Sequence, residues 1–234
     1  MPGAWQCSGV SNDELIDNLV SSTLLTSQRA VDACRKVDRA NYVLKPRDAY
    51  IDSPSSIGFG ATISAPHMHS SAVEDLLPSL NPGSRVLDIG CGSGYLLEVF
   101  HLLVQPHGFV LGIDHLPELT ALSKSNLRKS LEGAQALDGE PPAIKVVCGD
   151  GRRGSAAEDT PEGGWDVIHV GAASPEMPQK LLEQLAIGGR MFIPVGTTTQ
   201  SIWRVDKDHK GKVSQTELFA VRYIPLTDAE LQRP

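Results

Sequence analysis

Apolar residues change their spacing near residue 85, and the change separates two kinds of local structure. Upstream the spacing is helical. "SNDELIDNLV" places Ser11 three residues before Glu14, a reciprocal capping pattern, and predicts a helix over 12–22. A second helix follows Thr26 and Ser27, with Ala30, Val31, Cys34 and Val37 on one face. "YVLKPRDAYIDSPSSIGFGATISAP" is rich in Pro, Gly and Ser and reads as irregular. A stretch of that length inside a compact domain is usually functional or a linker. A third helix is expected from about His67, burying Ala72, Val73, Leu76 and Leu77, with Pro78 ending or kinking it.

Downstream, short apolar runs alternate with helical segments. Strands are predicted at 85–90, 108–114, 143–150, 166–171 and 189–196, and helices at 94–104, 117–131 and 178–187. Continuously apolar strands separated by helices imply a parallel sheet covered on both faces. "SIWRVDKD" and "TELFAVRYI" alternate more strictly and read as added edge strands or a hairpin. The segments 132–142 and 154–164 read as surface loops by composition. The expected class is α/β: a doubly wound, mostly parallel, Rossmann-like sheet with helices on both faces and an N-terminal helical extension. We expect one domain, with helices and a loop over 1–80, a core over 81–196 and a C-terminal part over 197–234.

Composition narrows the class. The chain has 234 residues, 41% of them hydrophobic, and a net charge of −7. An acidic balance argues against nucleic acid as a partner, because phosphate binding draws on a basic surface. Arg152 and Arg153 are read as a solvated loop rather than a phosphate site. Cys7, Cys34, Cys91 and Cys148 show no Cys-x-x-Cys spacing, which suits a reducing compartment. The opening "MPGAWQCSGVSNDEL" lacks the basic and apolar regions of a signal peptide. No run approaches the ~20 apolar residues of a membrane span. The expectation is a soluble, cytosolic monomer with no membrane partner.

The chemistry centres on "VLDIGCGSGYL". A strand ends at Asp88, and Gly90, Gly92 and Gly94 turn the chain into a helix. Glycines there let the backbone approach a ligand closely. The spacing is not the Gly-x-Gly-x-x-Gly that cradles a pyrophosphate, and an acidic residue ahead of the glycines suits a cationic amine. Asp114 ends the next strand and is placed to accept from ribose hydroxyls. Asp150, read as ending the strand after that, is placed to face an adenine amino group. This glycine turn with three acidic strand ends resembles the class I S-adenosylmethionine-dependent methyltransferases.

A narrower resemblance lies outside the cofactor motif. "DSPSSIGFGATISAPHMHSSAVEDLL" is similar to the amino-terminal signature of the protein-L-isoaspartate (D-aspartate) O-methyltransferase family. "VDRANYV", "GDGR", "DVIHVGAASPEMPQKLLEQLAIGGRMFIPVG" and "YIPLTD" agree with the same family in order and spacing, over about residues 5–232. "ATISAPHMH" and "PLTD" look most like the eukaryotic form. Two departures are Pro78 within a helix and Cys91 where a small serine is commoner. The resemblance implies methyl transfer from S-adenosyl-L-methionine to the free α-carboxyl of L-isoaspartyl, and possibly D-aspartyl, residues in damaged proteins and peptides. S-adenosyl-L-homocysteine is the other product. The methyl ester then closes to a succinimide and returns in part to aspartate. The resemblance further implies an active-site serine at Ser64. It implies cofactor contacts at Ala61, Thr62, Ile63, Ser64 and His69, at Asp88, Asp114, Asp150 and Gly151, and at Thr227 and Gln232, beside the turn glycines Gly90 and Gly92.

A carboxylate with a pKa near ~4 is already ionised at neutral pH and needs no general base. Alignment of the reacting atoms remains, and orientation contributes on the order of 7–11 kcal/mol in favourable cases. Ser64 is therefore read as orienting a carboxylate, not as a nucleophile; no Gly-x-Ser-x-Gly elbow surrounds it. His67 and His69 splay in a helix and have no third ligand in sequence reach, so no metal is expected; His67 is read as capping or packing at the helix start. His169 stands open between a hydrogen-bonded core histidine and a site residue, and His115 between an adenine neighbour and a surface turn. "HVGAASP" lacks the Asn/Asp-Pro-Pro-aromatic motif of nucleic-acid amino methyltransferases, and the backbone of 169–173 is expected to line the acceptor site. Trp5, Trp165 and Trp203 are assigned to packing. Two rivals are a class I methyltransferase acting on a small molecule or nucleic acid, and a non-catalytic protein on the same fold.

Overall fold

The computed structural model describes residues 6–232; Trp5 lies outside them. The N-terminal part opens with α1 (Asn12–Ser21), where Ser11 Oγ accepts the Glu14 amide and Glu14 returns a carboxylate to the Val10 amide. The predicted cap therefore forms one residue upstream of its usual reciprocal partner. Next comes α2 (Gln28–Lys36) with Ala30, Val31, Cys34 and Val37 all buried, as the spacing demands.

The stretch read as irregular holds a small hairpin, β1 (Ser55–Gly58) and β2 (Ala61–Ile63). Phe59 and Gly60 turn it with φ of 52° and 69°. Positive φ at both central positions matches the strand twist. The hairpin escapes the sequence pattern because its strands are short and only Ile57 and Ile63 are buried. The following helix α3 (Pro66–Leu76) begins on a proline, whose missing N–H costs nothing at a first helical position. Pro78 falls in a 3-10 turn that closes the helix, and Leu77 is only half-buried.

The main sheet comprises β3 (Arg85–Ile89), β4 (Phe109–Asp114), β5 (Ile144–Cys148), β6 (Trp165–Val170), β7 (Leu185–Gly196), β8 (Gln200–Lys207) and β9 (Val213–Val221). Their spatial order is β5-β4-β3-β6-β7-β8-β9. The pairings from β5 to β7 are parallel, and β8 and β9 add antiparallel strands at one edge. The chain runs outward from β3 through β4 to β5, then crosses back to lay β6 against the other side of β3. That reversal opens a crevice beyond the carboxyl ends of β3 and β6, where ligands bind in open α/β sheets.

Alternation within strands decides the layers. Val86, Val110 and Val167 pack into one cluster with residues of α1 to α3, α4 (Tyr95–Val104), α5 (Pro117–Leu127) and α6 (Leu131–Asp138). Leu87, Leu111 and Ile168 face the opposite way, against Trp165 and Leu181 of α7 (Gln179–Gln184). Helices thus cover both faces, unevenly. Among the described residues no helix is long and apolar enough to cross a membrane.

Four boundaries correct the sequence expectations. The segment 132–142 is not a loop for most of its length: α6 occupies Leu131–Asp138, capped by Ser130 Oγ on the Gly133 amide, and buries Ala136. That cap also stops α5 at Leu127, short of the expected 131. The helix expected at 178–187 shrinks to α7, because β7 begins at Leu185 to pair with Trp165. Finally, β3 continues to Ile89, past Asp88, whereas β5 ends at Cys148, before Asp150. Asp150 instead caps a 3-10 turn over Gly151–Arg153 by accepting the Arg152 amide.

Candidate active site

The crevice forms a cavity of about 530 Å³. Its floor is the turn after β3. Gly90, Gly92 and Gly94 have φ of 73°, 49° and 86°, a succession that side-chain-bearing residues rarely adopt. The turn is pinned from both sides: Ile113 O of β4 accepts the Gly90 amide at 2.8 Å, and the Gly171 amide donates to Ile89 O at 2.7 Å.

Asp114 closes one wall. It is buried, and its carboxylate accepts the amides of Gly92 (3.0 Å) and Leu116 (3.3 Å). Burial raises its pKa, against the pull of those amides. Asp150 and Gly151 continue the wall, and Arg152 grips both Asp150 oxygens at 2.8 and 3.0 Å. That grip holds the Asp150 carboxyl below its usual range. Arg152 is exposed, as expected of a solvated loop, but it also donates to Asp228 at 2.6 Å and so ties the wall to the tail. Arg153 is exposed.

The tail and the hairpin form the roof. Residues 222–227 return past β6, where Ala173 exchanges backbone bonds with Ile224 and Leu226. Thr227 and Gln232 line the cavity, and Gln232 lies in the short helix α8 (Ala229–Gln232). The Gln232 amide donates to Phe59 O at 3.0 Å, and its carbonyl pairs with His115 Nε2 at 2.7 Å. His115 is thereby a cavity wall and not a surface turn.

Ala61, Thr62 and Ser64 also line the cavity, with Ala65, His67 and Met68. A small recess of about 30 Å³ lies behind the glycine turn, bounded by Thr62, Ile63, Ser64, His69, Asp88 and His169 among others. The sequence-derived residues therefore divide between cavity and recess, with Gly90, Gly92, Thr62 and Ser64 bordering both. Ile63 reaches only the recess and is buried. Asp88 is buried as well, and His169 Nδ1 donates to it at 2.6 Å. The ring of His169 lies between Phe100 and Phe192. His169 is thus a hydrogen-bonded interior histidine that also borders the recess. Of the segment after it, Gly171 and Ala172 reach the cavity, while Ala173 is buried in the tail pairing.

The paired histidines go to different partners. Asp52, not His67, caps α3: its Oδ1 accepts the His67 amide at 3.0 Å and His67 Nδ1 at 2.7 Å. Burial pushes the Asp52 carboxyl up, but the His67 bonds outweigh it and hold it below its usual range. A carboxylate at a helix N-terminus also meets the positive end of the helix dipole. His69 turns the other way, stacks on Tyr95 at 5.0 Å between centroids, and meets Arg39 through Nδ1 at 3.2 Å. Burial, then the charge of Arg39, keeps its pKa well below the ordinary histidine value.

Sequence reasoning missed two residues here. Arg39 is 1% exposed and donates to Ser64 O at 2.7 Å. Burial lowers its pKa to about 10, which still leaves it charged at neutral pH. "VDRANYV" contains it, but nothing local signals a buried guanidinium. Tyr223 lines the same cavity as Ser64, and burial drives its phenol pKa up. The Cys91 thiol sits in the glycine turn, and burial lifts its pKa well above the ordinary value. A protonated thiol is a poor nucleophile.

The donor set fits an adenosyl sulfonium cofactor. The floor is bare of side chains, acceptors stand at the ends of β4 and β5, and a polar recess with a carboxylate and two imidazoles adjoins them.

A profile of the protein-L-isoaspartate(D-aspartate) O-methyltransferase family matches residues 10–231. The chain is 43% identical over 229 residues to protein-L-isoaspartate O-methyltransferase 1 of Arabidopsis thaliana, covering 97% of this chain and 96% of that protein. It is 44% identical over 231 residues to the protein-L-isoaspartate O-methyltransferase of Caenorhabditis elegans, covering 98% of each. It also superposes on the crystal structure of a putative protein-L-isoaspartate O-methyltransferase from Plasmodium falciparum in complex with S-adenosyl-L-homocysteine. The TM-score is 0.82 at 29% identity, covering 93% of this chain and 98% of that one. With the glycine turn, the Ser64 loop and the returning tail all inside the matched span, this chain belongs to the protein-L-isoaspartate(D-aspartate) O-methyltransferase family.

Proposed function

We propose that the protein transfers a methyl group from S-adenosyl-L-methionine to the free α-carboxylate of L-isoaspartyl residues in damaged proteins and peptides, and so starts their return to aspartate. The observation that carries the reading is one continuous cavity whose lining includes Asp114, Asp150, Gly90, Gly92 and Ser64. The bound cofactor supplies a methyl group already activated by its sulfonium. Asp114 is placed to accept from a ribose, Asp150 and Gly151 to border the adenine, and Asp88, His69, Thr62 and Ile63 to enclose the methionine end. Ala61, Thr227 and Gln232 cover the adenosine from the roof. Ser64 Oγ orients the incoming carboxylate at the cavity lining. That group is ionised at neutral pH, so no residue has to remove a proton. The roof excludes water and holds the reacting atoms together, which is where the rate gain arises.

The test is transfer of labelled methyl from the cofactor to matched peptides that differ only in an isoaspartyl or aspartyl linkage. The expected result is labelling of the isoaspartyl peptide alone, released as methanol in mild base. Equal labelling of both peptides, or a base-stable product, would sink the assignment and favour a different acceptor.

A further inference from the structure

Arg39 is buried, yet its hydrogen bonds go to a carbonyl and an imidazole rather than to a carboxylate. Its Nε has no partner among the described residues. The Asp52 charge supports the guanidinium without bonding it, and a buried cation with no directly bonded anion is costly, because burial strips its hydration. The cost is offset when a carboxylate arrives with a ligand.

The direction of the Arg39–His69 bond carries a chemical consequence. A guanidinium has five N–H donors and no acceptor. Its Nη1 meets His69 Nδ1 at 3.2 Å, so Nδ1 has to present a lone pair. The ring proton then resides on Nε2. A protonated imidazolium would set N–H against N–H. The orientation is fixed further by stacking: His69 lies at 21° to the Tyr95 ring, and Arg39 Cζ stands 5.7 Å from the centroid of the same ring. The second arm of Arg39 donates to Ser64 O, five residues before His69.

We propose that Arg39 is a positioning residue that locks His69 as the neutral Nε2–H tautomer while holding the Ser64 backbone. One buried guanidinium then sets both the donor facing the cofactor's carboxylate and the serine facing the acceptor. The identity of those ligands rests on the methyl-transfer reading; the tautomer does not. The charged and titratable groups around His69 are Arg39 from the turn before residue 42, Tyr95 from α4, His67 from its own helix, and Asp88 and His169 from β3 and β6. The one carboxylate among them, Asp88, is already engaged by His169, so it does not draw a second proton onto His69.

The experiment is long-range proton–nitrogen correlation on the ¹⁵N-labelled protein, with the His69 signals assigned by their loss in His69→Gln. The expected result is the Nε2–H pattern, unchanged from about pH 8 to about pH 5.5, a range in which an ordinary histidine titrates. In Arg39→Met, His69 Nδ1 loses its donor, so an Nδ1–H signal should appear beside Nε2–H, and cofactor affinity by calorimetry should fall about tenfold, or ~1.4 kcal/mol. An Nδ1–H tautomer or an imidazolium at neutral pH in the unmodified protein would overturn the proposal, whether or not the variant folds. A folded Arg39→Met with unchanged His69 signals would overturn it too. Failure to methylate isoaspartyl peptides, with the tautomer as expected, would strike the functional reading and leave the lock standing.

Discussion

Arg152 Nη2 donates to the Asp228 carboxylate at 2.6 Å while the same guanidinium holds Asp150. The Asp150 wall and the covering tail are therefore joined through one side chain. The Arg152–Asp228 pair is open to solvent, with 40% and 62% of the two side chains exposed. Exposed pairs contribute about 0.2–1 kcal/mol.

Asp228→Asn should accordingly speed cofactor-product release by no more than about fivefold, measured by stopped flow. Arg152→Met should act more strongly, because Asp150 loses its partner as well. A larger effect from Asp228→Asn would contradict the shared-guanidinium account.

Ser64→Ala should lower turnover about tenfold and leave cofactor affinity within about twofold, since a hydroxyl bond contributes roughly 0.5–1.5 kcal/mol. The backbone carbonyl gripped by Arg39 survives the substitution. Steady-state kinetics beside calorimetry separates the two quantities. Unchanged turnover would remove Ser64 from the reaction.

Asp114→Asn should weaken cofactor binding by about 1.5–3 kcal/mol, the range for hydrogen bonds to a charged group. The amide oxygen of Asn can still accept from Gly92 or Leu116, so the turn itself should persist. Calorimetric affinity equal to the unmodified protein would count against the ribose assignment.

Gly94→Ala tests the glycine turn. The φ at Gly94 is 86°, and an added Cβ would sit 2.5 Å from Ser123 Oγ and 3.3 Å from Ser123 O. The left-handed conformation alone costs about 1–2 kcal/mol. At roughly 2–4 °C per kcal/mol for a chain of this size, the melting temperature should drop by about 2–8 °C. A melting temperature at or above that of the parent would show that the turn is not held as described.

Mild acid should destabilise the fold. Burial, then the charge of Arg39, lowers the pKa of His69; burial also lowers that of His101, against Glu132. Between the lowered folded value and the unfolded value near ~6.5, the unfolded chain binds more protons, so stability falls as pH falls. The loss starts near ~pH 6.5 and grows as the pH falls further. Denaturant melts above and below that pH measure it; equal midpoints would mean that His69 is not held neutral by the fold.

The parallel core was legible because its causes are local. Val86 and Leu87 are both apolar, so β3 had to be covered on both faces, and glycines at 90, 92 and 94 announce a turn that side chains would obstruct. Ser64 and Gln232 were legible only through family resemblance, since a serine in a loop or a glutamine in a tail carries no chemistry by its spacing. Composition was right for 154–164, which holds only turns and bends, and misled at 132–142. Gly133 and Gly139 made 132–142 look like a loop, but Ser130 caps a helix there, and Ala136 buries its side chain.

The sequence by itself determined the strands of the parallel core and the helices α1 to α5, where the ligand crevice lies, and which acidic residues stand at it, because period, capping and glycine placement act over a few residues. Tertiary structure alone decided the partners. Arg39 reaches Ser64 and His69 across 25 and 30 positions, and Asp88 meets His169 across 81. Those meetings depend on sheet register and on which helix packs where, so burial and hydrogen-bond geometry assign them only once the chain has closed.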